Sequence, residues 1–372
     1  MSKYKLLLFG ISGDLAMRKV LPSLGQLIET DINNQYSLIG YSRSNVELEK
    51  VQNAITSKQK SSKLCNIILK NGEYDDPKIF YESIKNLETD ERLFVYLALP
   101  PVTFFQSIQN FCPYSEYPIN IILEKPYATS LEESKKLTQL INICDLQIKI
   151  HFFDHYLFKQ GLVIPLPIKK YIIKEKSQLK TVHIKAVESL GLENRAGYYD
   201  TTGAVQDMLP HLLSLWDQYS SQLDYKNCHD LENYAITNVI YDQYPEYKNE
   251  LGKESKTETY FKITIYDSLN KLNLIFESGK KQIKKETFIS FLDNKDNLIA
   301  NINLYPEVSF YPEIKDITET NETNKLEPKK YDEHVEMFKD LENNNFNKFL
   351  EPSKVIWQWE IIQKARNQSD VF

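Results

Sequence analysis

The sequence predicts an α/β protein: a doubly wound parallel sheet over residues 1–150, followed over 151–372 by an α+β domain with a large, mostly antiparallel sheet. In the first part, short apolar strands alternate with helices, which is typical of a parallel sheet. In the second part, segments of period-2 alternation have little helix between them, which is typical of antiparallel strands.

In the first part, Lys5–Phe9 is an apolar run closed by Gly10, the pattern of a strand buried on both faces. Pro100 and Pro101 end a later strand sharply. We predict, in order, a strand over 5–9, a helix over 16–30, strands over 37–41, 93–99 and 119–123, and a helix that Thr129 or Ser130 caps and that runs to Cys144.

In the second part, alternating segments predict strands over 180–188, 257–266, 272–276 and 287–291. A helix is expected from Gly203 to Tyr219, and two more between Tyr331 and Gln363. The polar stretches 246–256 and 316–330 are expected to be loops.

Composition excludes several classes of protein. The net charge is -6 without a basic stripe, which argues against a nucleic-acid partner. The four cysteines are scattered, so we expect reduced thiols and neither a zinc site nor a disulfide framework. No apolar run approaches the roughly 18 residues of a membrane span, and the first apolar stretch is too short for a signal peptide. We therefore expect a cytoplasmic protein without a metal ion or a membrane partner.

The segment Gly10–Ala16 (Gly-Ile-Ser-Gly-Asp-Leu-Ala) follows the first strand and opens a helix. Glycines there let a pyrophosphate approach the helix N-terminus, where free N–H groups favour anions. The motif lacks the complete G-x-G-x-x-G spacing, so a plain strand-to-helix turn stays an alternative. In a Rossmann-type dinucleotide site, the expected contacts are Gly10, Ser12, Gly13, Asp14 and Leu15.

The end of the second strand indicates which dinucleotide would bind. Folds that select NAD usually place an acidic residue there to hydrogen-bond the ribose 2′-hydroxyl. This chain has Ser42, Arg43 and Ser44 instead. A cation flanked by hydroxyls suits a 2′-phosphate, so the pattern favours NADP. An exposed arginine without a function is the plainer interpretation.

Four further motifs carry polar side chains, and each taken alone could be structural. The motifs are Glu124-Lys125-Pro126 at a strand end, Asp154–Lys159 with His155 and Lys159 on one face if it is helical, Gly203–His211 with Asp207 and His211 one turn apart, and Ser278-Gly279-Lys280 at a turn. In the same order, the structural alternatives are a solvated turn, a surface helix, a structural histidine and a hairpin tip.

Taken in order, the motifs resemble the glucose-6-phosphate dehydrogenase family, whose landmarks are a GASGDLA-like loop, a GYAR-like strand end, EKPFG, DHYLGKE, a GGYFDxxGxxRDxxxNHLLQ-like helix and a TGKxLxxKxTE-like hairpin. The resemblance covers nearly the whole chain. The matching segments are GISGDLA at 10–16, GYSR at 40–43, EKPY at 124–127, DHYL at 154–157, GYYD at 197–200, HLL at 211–213 and SGKK at 278–281.

The resemblance implies an NADP-dependent enzyme, with NAD possible, that oxidises C1 of a sugar phosphate such as glucose 6-phosphate. It implies His211 as the general base and Asp154 as the carboxylate that orients it. It also implies a homodimer or homotetramer. The implied substrate contacts are His155, Tyr156, Lys159, Glu188, Asp207, Lys280 and Lys125, and the additional cofactor contacts are Lys19 and Lys125.

The chain departs from the family pattern at Ala128, Phe158, Gln160, Gln206 and Pro210. A proline inside a helix costs about 3 kcal/mol unless the helix is kinked or starts late. Pro210 therefore keeps a regulatory homologue without turnover as one alternative. The Gfo/Idh/MocA sugar oxidoreductases are another, because residues 124–134 resemble their EKPLA segment, whose lysine works as acid and base.

Overall fold

The computed structural model describes residues 2–31, 33–74, 76–84, 87, 91–114, 118–143, 148–192, 196–226, 229–313 and 331–368. These residues form two sheets. Their strands are β1 (Lys3–Phe9), β2 (Gln35–Ser42), β3 (Asn66–Asn71), β4 (Glu91–Leu97), β5 (Ile119–Glu124), β6 (Ile148–Phe153), β7 (Thr181–Val187), β8 (Tyr234–Asp242), β9 (Tyr260–Asp267), β10 (Leu272–Gly279), β11 (Glu286–Leu292), β12 (Leu298–Tyr305) and β13 (Ser309–Tyr311).

Helices precede, follow and connect these strands. A π-helical stretch, Ala16–Val20, leads into the first α-helix, and His155–Phe158 is a 3₁₀ turn. The α-helices are α1 (Leu21–Thr30), α2 (Leu48–Thr56), α3 (Pro77–Ile84), α4 (Phe104–Phe111), α5 (Leu131–Ile143), α6 (Leu166–Lys174), α7 (Ala196–Gln222), α8 (Tyr247–Leu251), α9 (Glu333–Glu342) and α10 (Pro352–Arg366).

The chain divides into two compact units: Met1–Phe158 with Tyr331–Pro352, and Lys159–Lys330 with Ser353–Phe372. This division differs from the predicted ranges 1–150 and 151–372, because a late segment returns to the first unit. The segment returns because α9 is amphipathic. It buries an apolar face and packs against α1. The buried apolar residues of this face are Val335, Met337, Phe338 and Leu341.

The first unit contains a six-stranded sheet of order β3-β2-β1-β4-β5-β6 in which every neighbouring pair is parallel. The predicted doubly wound sheet is therefore confirmed. The outer strands β3 and β6 were not predicted. In β3, an edge strand, no residue is fully buried, so it lacks the apolar run of a central strand. Because all strands run the same way, their carboxyl ends meet at one edge.

The second unit contains a seven-stranded sheet of order β13-β12-β11-β7-β10-β9-β8. Only β7 and β10 pair in parallel, and the other described pairs are antiparallel, as predicted. Alternate side chains of β9, such as Phe261 and Ile263, are buried on one face of the sheet, and α7 packs against this strand. The predicted loop 246–256 contains the short α8, and the loop 316–330 lies outside the described residues.

Two expectations from composition can be compared with the structure. Cys65 is a free thiol, but Cys112 is bonded in a disulfide, so the expectation of reduced cysteines is wrong for Cys112. Sequence spacing carries no signal for such a bond, which depends on which cysteines the fold brings together. Among the described helices, none has the length and apolar character needed to cross a bilayer.

A polar cluster attaches the carboxyl end of α9 to the first sheet. The Tyr36 hydroxyl donates to Glu342 Oε1 at 2.8 Å and lies 3.1 Å from Asp31 Oδ2. Arg92 Nη1 donates to the Glu342 carbonyl oxygen at 2.7 Å. Burial, aided by the charge of Asp31 and opposed by the Tyr36 hydrogen bond, raises the pKa of Glu342 from 4.5 to about 7.

We expect this carboxyl to make stability fall as pH rises from 4.5 to about 7. Its raised pKa means that the folded state holds the proton more tightly than the unfolded state, so deprotonation weakens the fold by at most about 3 kcal/mol. Glu342→Gln keeps the shape without the charge. Melting temperatures from about pH 5 to about pH 8 should fall less steeply in this variant than in the wild type. Glu336→Gln, on the same helix, is the control, and equal slopes in all three proteins would contradict the assignment.

Candidate active site

The turn after β1 requires glycine at position 10, because the chain there passes close to Ala98. Gly10 has a φ of +76°, and a Cβ at this position would lie 2.2 Å from the carbonyl oxygen of Ala98. The Gly10 N–H donates to the Tyr41 carbonyl at 2.9 Å, and the Gly13 N–H donates to the Gly10 carbonyl at 2.8 Å. Only glycine fits at position 10. The turn leads directly into a helix N-terminus, so its residues fit the pyrophosphate of a dinucleotide.

The other predicted cofactor residues of this turn lie at the same edge of the sheet. Ser12, Asp14 and Lys19 are exposed, whereas Gly13 and Leu15 are half-buried. Asp14 lies 3.5 Å from Arg18, an exposed ion pair that contributes little stability. The side chains of Ser12, Asp14 and Lys19 are therefore accessible to a ligand.

Arg43 follows β2 and is exposed, as a residue that reads a 2′-phosphate must be. Its guanidinium Cζ lies 5.5 Å from the ring centroid of Tyr74, a cation–π contact. The Tyr74 ring packs by its edge against Phe9 at 6.2 Å between centroids. Sequence reasoning missed Tyr74, because only the pairing of β2 with β3 brings the two strand ends together.

A buried ion pair joins the ends of β5 and β6 in the first unit. Lys125 Nζ lies 2.6 Å from Asp154 Oδ2, and both side chains are buried, with 5% and 0% exposed. The N–H of Tyr156 donates to the other oxygen of Asp154 at 3.0 Å. Burial lowers the pKa of Lys125 to about 8, and the negative charge of Asp154 opposes this shift. The resemblance names both residues without indicating that they pair.

A second buried cluster surrounds Glu124, the last residue of β5. The Tyr96 hydroxyl donates to its carboxylate, and His334 Nε2 lies 3.6 Å from the same carboxylate oxygen. Burial, together with the charge of Glu124, raises the pKa of Tyr96 and that of Tyr127. His334 comes from the returning α9. No sequence spacing could have placed it beside β5.

The α-helix that would place His155 and Lys159 on one face is not formed. His155–Phe158 is a single 3₁₀ turn, so His155 and Lys159 do not share a face through the α-helical register. Tyr156 is buried and Lys159 is half-buried. The departure from the family's glycine at Phe158 has a packing reason, because this ring contacts Phe153 at 5.0 Å between centroids.

In the second unit, the ends of β7 and β10 bring two predicted substrate residues together. Lys280 Nζ forms an ion pair with Glu188 Oε2, and the lysine is 5% exposed. The parallel register of Gly279 with Val187 causes this contact, because the residue after each strand faces the other. Sequence reasoning placed both residues in the substrate site but did not pair them.

Helix α7 carries the other predicted residues of the second unit. Gly203 breaks it with a φ of +71° and a ψ of +169°, and the Glu258 carboxylate accepts the Val205 N–H beyond the break at 3.0 Å. Asp207 and His211 lie one turn apart in the part of α7 that follows Gly203. Asp207 is half-buried and His211 is buried. Pro210 lies inside this helix and not in its first turn, so the kink precedes the proline.

The predicted pair Asp154 and His211 belongs to different units, Asp154 to the first and His211 to the second. Each unit has a defined site of its own. The first has the Gly10 turn, Arg43 and the Lys125–Asp154 pair. The catalytic pairing of Asp154 with His211 stays a prediction.

Comparisons with known proteins were made on sequence and on structure. The family model "Glucose-6-phosphate dehydrogenase, NAD binding domain" matches residues 7–162, and "Glucose-6-phosphate dehydrogenase, C-terminal domain" matches residues 172–217. Glucose-6-phosphate 1-dehydrogenase of Helicobacter pylori strain J99 is 31% identical over 297 residues, which cover 72% of this chain and 69% of the relative.

Two solved structures share the fold. Glucose-6-phosphate 1-dehydrogenase from Mycobacterium avium has a TM-score of 0.79 at 18% identity and covers 100% of this chain and 93% of its own. A glucose-6-phosphate dehydrogenase in complex with glucose-6-phosphate has a TM-score of 0.73 at 16% identity, with 99% and 92% covered. The two matching family models and the extent of the bacterial relative lead to one conclusion: this chain belongs to the glucose-6-phosphate dehydrogenase family.

Proposed function

We propose that the protein oxidises glucose 6-phosphate to 6-phosphogluconolactone with NADP as the hydride acceptor. The observation that carries the proposal is the buried Lys125–Asp154 pair at the carboxyl ends of β5 and β6. Doubly wound sheets bind their ligands at this edge, and the Gly10 turn lies at the same edge. Family membership supports the substrate, since the Helicobacter pylori relative carries the name of this activity.

The residues of the first unit fit a nicotinamide dinucleotide. Gly10 permits the tight turn beside Ala98, the adjoining helix N-terminus favours the pyrophosphate, and Arg43 supplies a cation for a 2′-phosphate. When bound, NADP accepts the hydride that leaves C1 of the sugar. The NAD binding domain match supports a nicotinamide cofactor, and Arg43 supports the choice of NADP.

His211 takes the proton of the C1 hydroxyl in this proposal, and Asp154 orients its imidazole. A neutral imidazole is a suitable base near pH 7. Asp154 has capacity for this additional role, because each carboxylate oxygen accepts more than one hydrogen bond. Lys125 and the Tyr156 N–H hold the carboxylate in a fixed orientation, which a residue that orients a base requires.

Substrate binding falls to the remaining predicted residues. His155, Tyr156, Lys159 and Lys280 supply donors for the phosphate, and Glu188 and Asp207 accept hydrogen bonds from ring hydroxyls. Lys280 and Glu188 form an ion pair, so a residue proposed to donate to the phosphate lies beside one proposed to accept from ring hydroxyls.

Replacing the proposed base should greatly slow turnover without affecting cofactor binding. We expect His211→Asn to lower kcat by about 10²- to 10⁴-fold, the usual contribution of a general base, with an unchanged Kd for NADP. His183→Asn, a histidine of β7, is the control and should retain turnover. Retained turnover in His211→Asn would favour the mechanism of the Gfo/Idh/MocA enzymes.

Removing the Arg43 side chain should change cofactor selectivity. We expect Arg43→Ala to raise the Kd for NADP roughly 10- to 100-fold, because a charged hydrogen bond to the 2′-phosphate is lost, and to leave the Kd for NAD nearly unchanged. Fluorescence titration with both cofactors measures this. Arg18→Ala is the control for loss of a nearby exposed charge. Equal losses for NADP and NAD in Arg43→Ala would refute the assignment.

The lowered pKa of Lys125 predicts a decrease in kcat/KM on the alkaline side of the pH profile. If the ammonium contacts substrate or cofactor, kcat/KM should fall as pH rises through about 8, where Lys125 loses its proton. Lys125→Arg keeps the cation at all these pH values. The activity that this variant retains should show no decrease in kcat/KM near pH 8. A decrease that persists at the same pH in Lys125→Arg would assign it to another group.

A further inference from the structure

Tyr199 carries a buried hydroxyl that the described structure leaves without a hydrogen bond. The residue lies in the first part of α7, before the break at Gly203, and is 4% exposed. Its Oη is buried and has no hydrogen-bond partner among the described residues. A buried hydroxyl without a partner costs free energy, so it requires an explanation, and a ligand that supplies the missing partner is one.

The surroundings of Tyr199 are those of the proposed sugar site. Lys280 Nζ lies 5.5 Å from the centroid of the Tyr199 ring, and Lys280 pairs with Glu188. Burial, with the negative charges of Asp207, Glu258 and Glu188, raises the pKa of Tyr199. The phenol therefore stays protonated and is available as a hydrogen-bond donor beside the Lys280–Glu188 pair.

The packing of the Tyr199 ring does not account for its hydroxyl, because that oxygen has no hydrogen-bond partner among the described residues.

We propose that Tyr199 is a substrate-binding residue whose hydroxyl donates a hydrogen bond to a ring hydroxyl of the sugar. This inference rests on the proposed function. A sugar hydroxyl both donates and accepts, so it can give its proton to Asp207 or Glu188 while its oxygen accepts from Tyr199. A phosphate oxygen only accepts, so it could not at the same time donate to Asp207 or Glu188.

The test compares two tyrosine-to-phenylalanine variants. Tyr225 is the matched control, because its hydroxyl is also buried without a partner and Lys176 Nζ lies 3.9 Å from its ring centroid. We expect Tyr199→Phe to raise the KM for glucose 6-phosphate about three- to tenfold, the effect of one lost hydrogen bond, with the KM for NADP unchanged. Tyr225→Phe should change neither. Both variants should melt no lower than the wild type, since each loses only an unpartnered hydroxyl.

Deoxy sugars identify the partner of Tyr199. With the 2-, 3- and 4-deoxy analogues of glucose 6-phosphate, the effect of Tyr199→Phe should vanish for the one analogue that lacks the bonded hydroxyl. If the loss is the same for every analogue, Tyr199 bonds none of the 2-, 3- and 4-hydroxyls, and the assignment to a ring hydroxyl is wrong. If the KM for glucose 6-phosphate is unchanged in Tyr199→Phe, the residue does not contact the substrate.

Calorimetric titration with glucose 6-phosphate separates this inference from the proposed function. Wild-type protein that binds the sugar phosphate but does not oxidise it would refute the function. Weaker binding by Tyr199→Phe would still support the contact in that case. Wild-type protein that does not bind glucose 6-phosphate would overturn both.

Discussion

The buried ion pair between Lys125 and Asp154 constrains the edge of the first sheet where β5 and β6 end. Two charges withdrawn from water are stable only when each satisfies the other, and removing one partner of such a pair typically costs about 3–5 kcal/mol. The parallel register of Glu124 with Phe153 places the two side chains opposite each other, one residue beyond each strand. The pair therefore couples the geometry of the sheet edge to the orientation of the proposed catalytic carboxylate.

The second unit repeats this construction in a different sheet. Lys280 and Glu188 also follow neighbouring strands, β10 and β7, which form the one parallel pair among the described strands of that sheet. In an antiparallel pair, the carboxyl end of one strand lies beside the amino end of the other. A parallel pair within an antiparallel sheet is therefore what allows a lysine and a carboxylate to meet at two carboxyl ends. Both units use the same device to assemble polar groups.

Much of the fold was predictable because its signals are local. The apolar run before Gly10 and the alternation in β9 to β11 reflect burial of each strand by itself. The ends of β2, β5 and β10 correctly indicated Arg43, Lys125 and Lys280 as polar residues at sheet edges. Pairings between strands are not local, so the sequence indicated neither ion pair nor the approach of Tyr74 to Arg43. The tyrosine at position 199 was missed for another reason: it differs from phenylalanine by one oxygen, whose lack of a partner only the structure shows.

The return of residues 331–352 to the first unit has a consequence for synthesis on the ribosome. Helix α9 contributes buried side chains to this unit, and Leu350 bridges to Phe152 of β6. A nascent chain that has emerged only through β6 lacks these contacts and exposes the apolar surface that they cover. The nucleotide-binding half of the protein can thus complete its core only after nearly the whole chain has been translated. A fragment that ends near residue 158 would be expected to aggregate unless residues 331–352 were supplied with it.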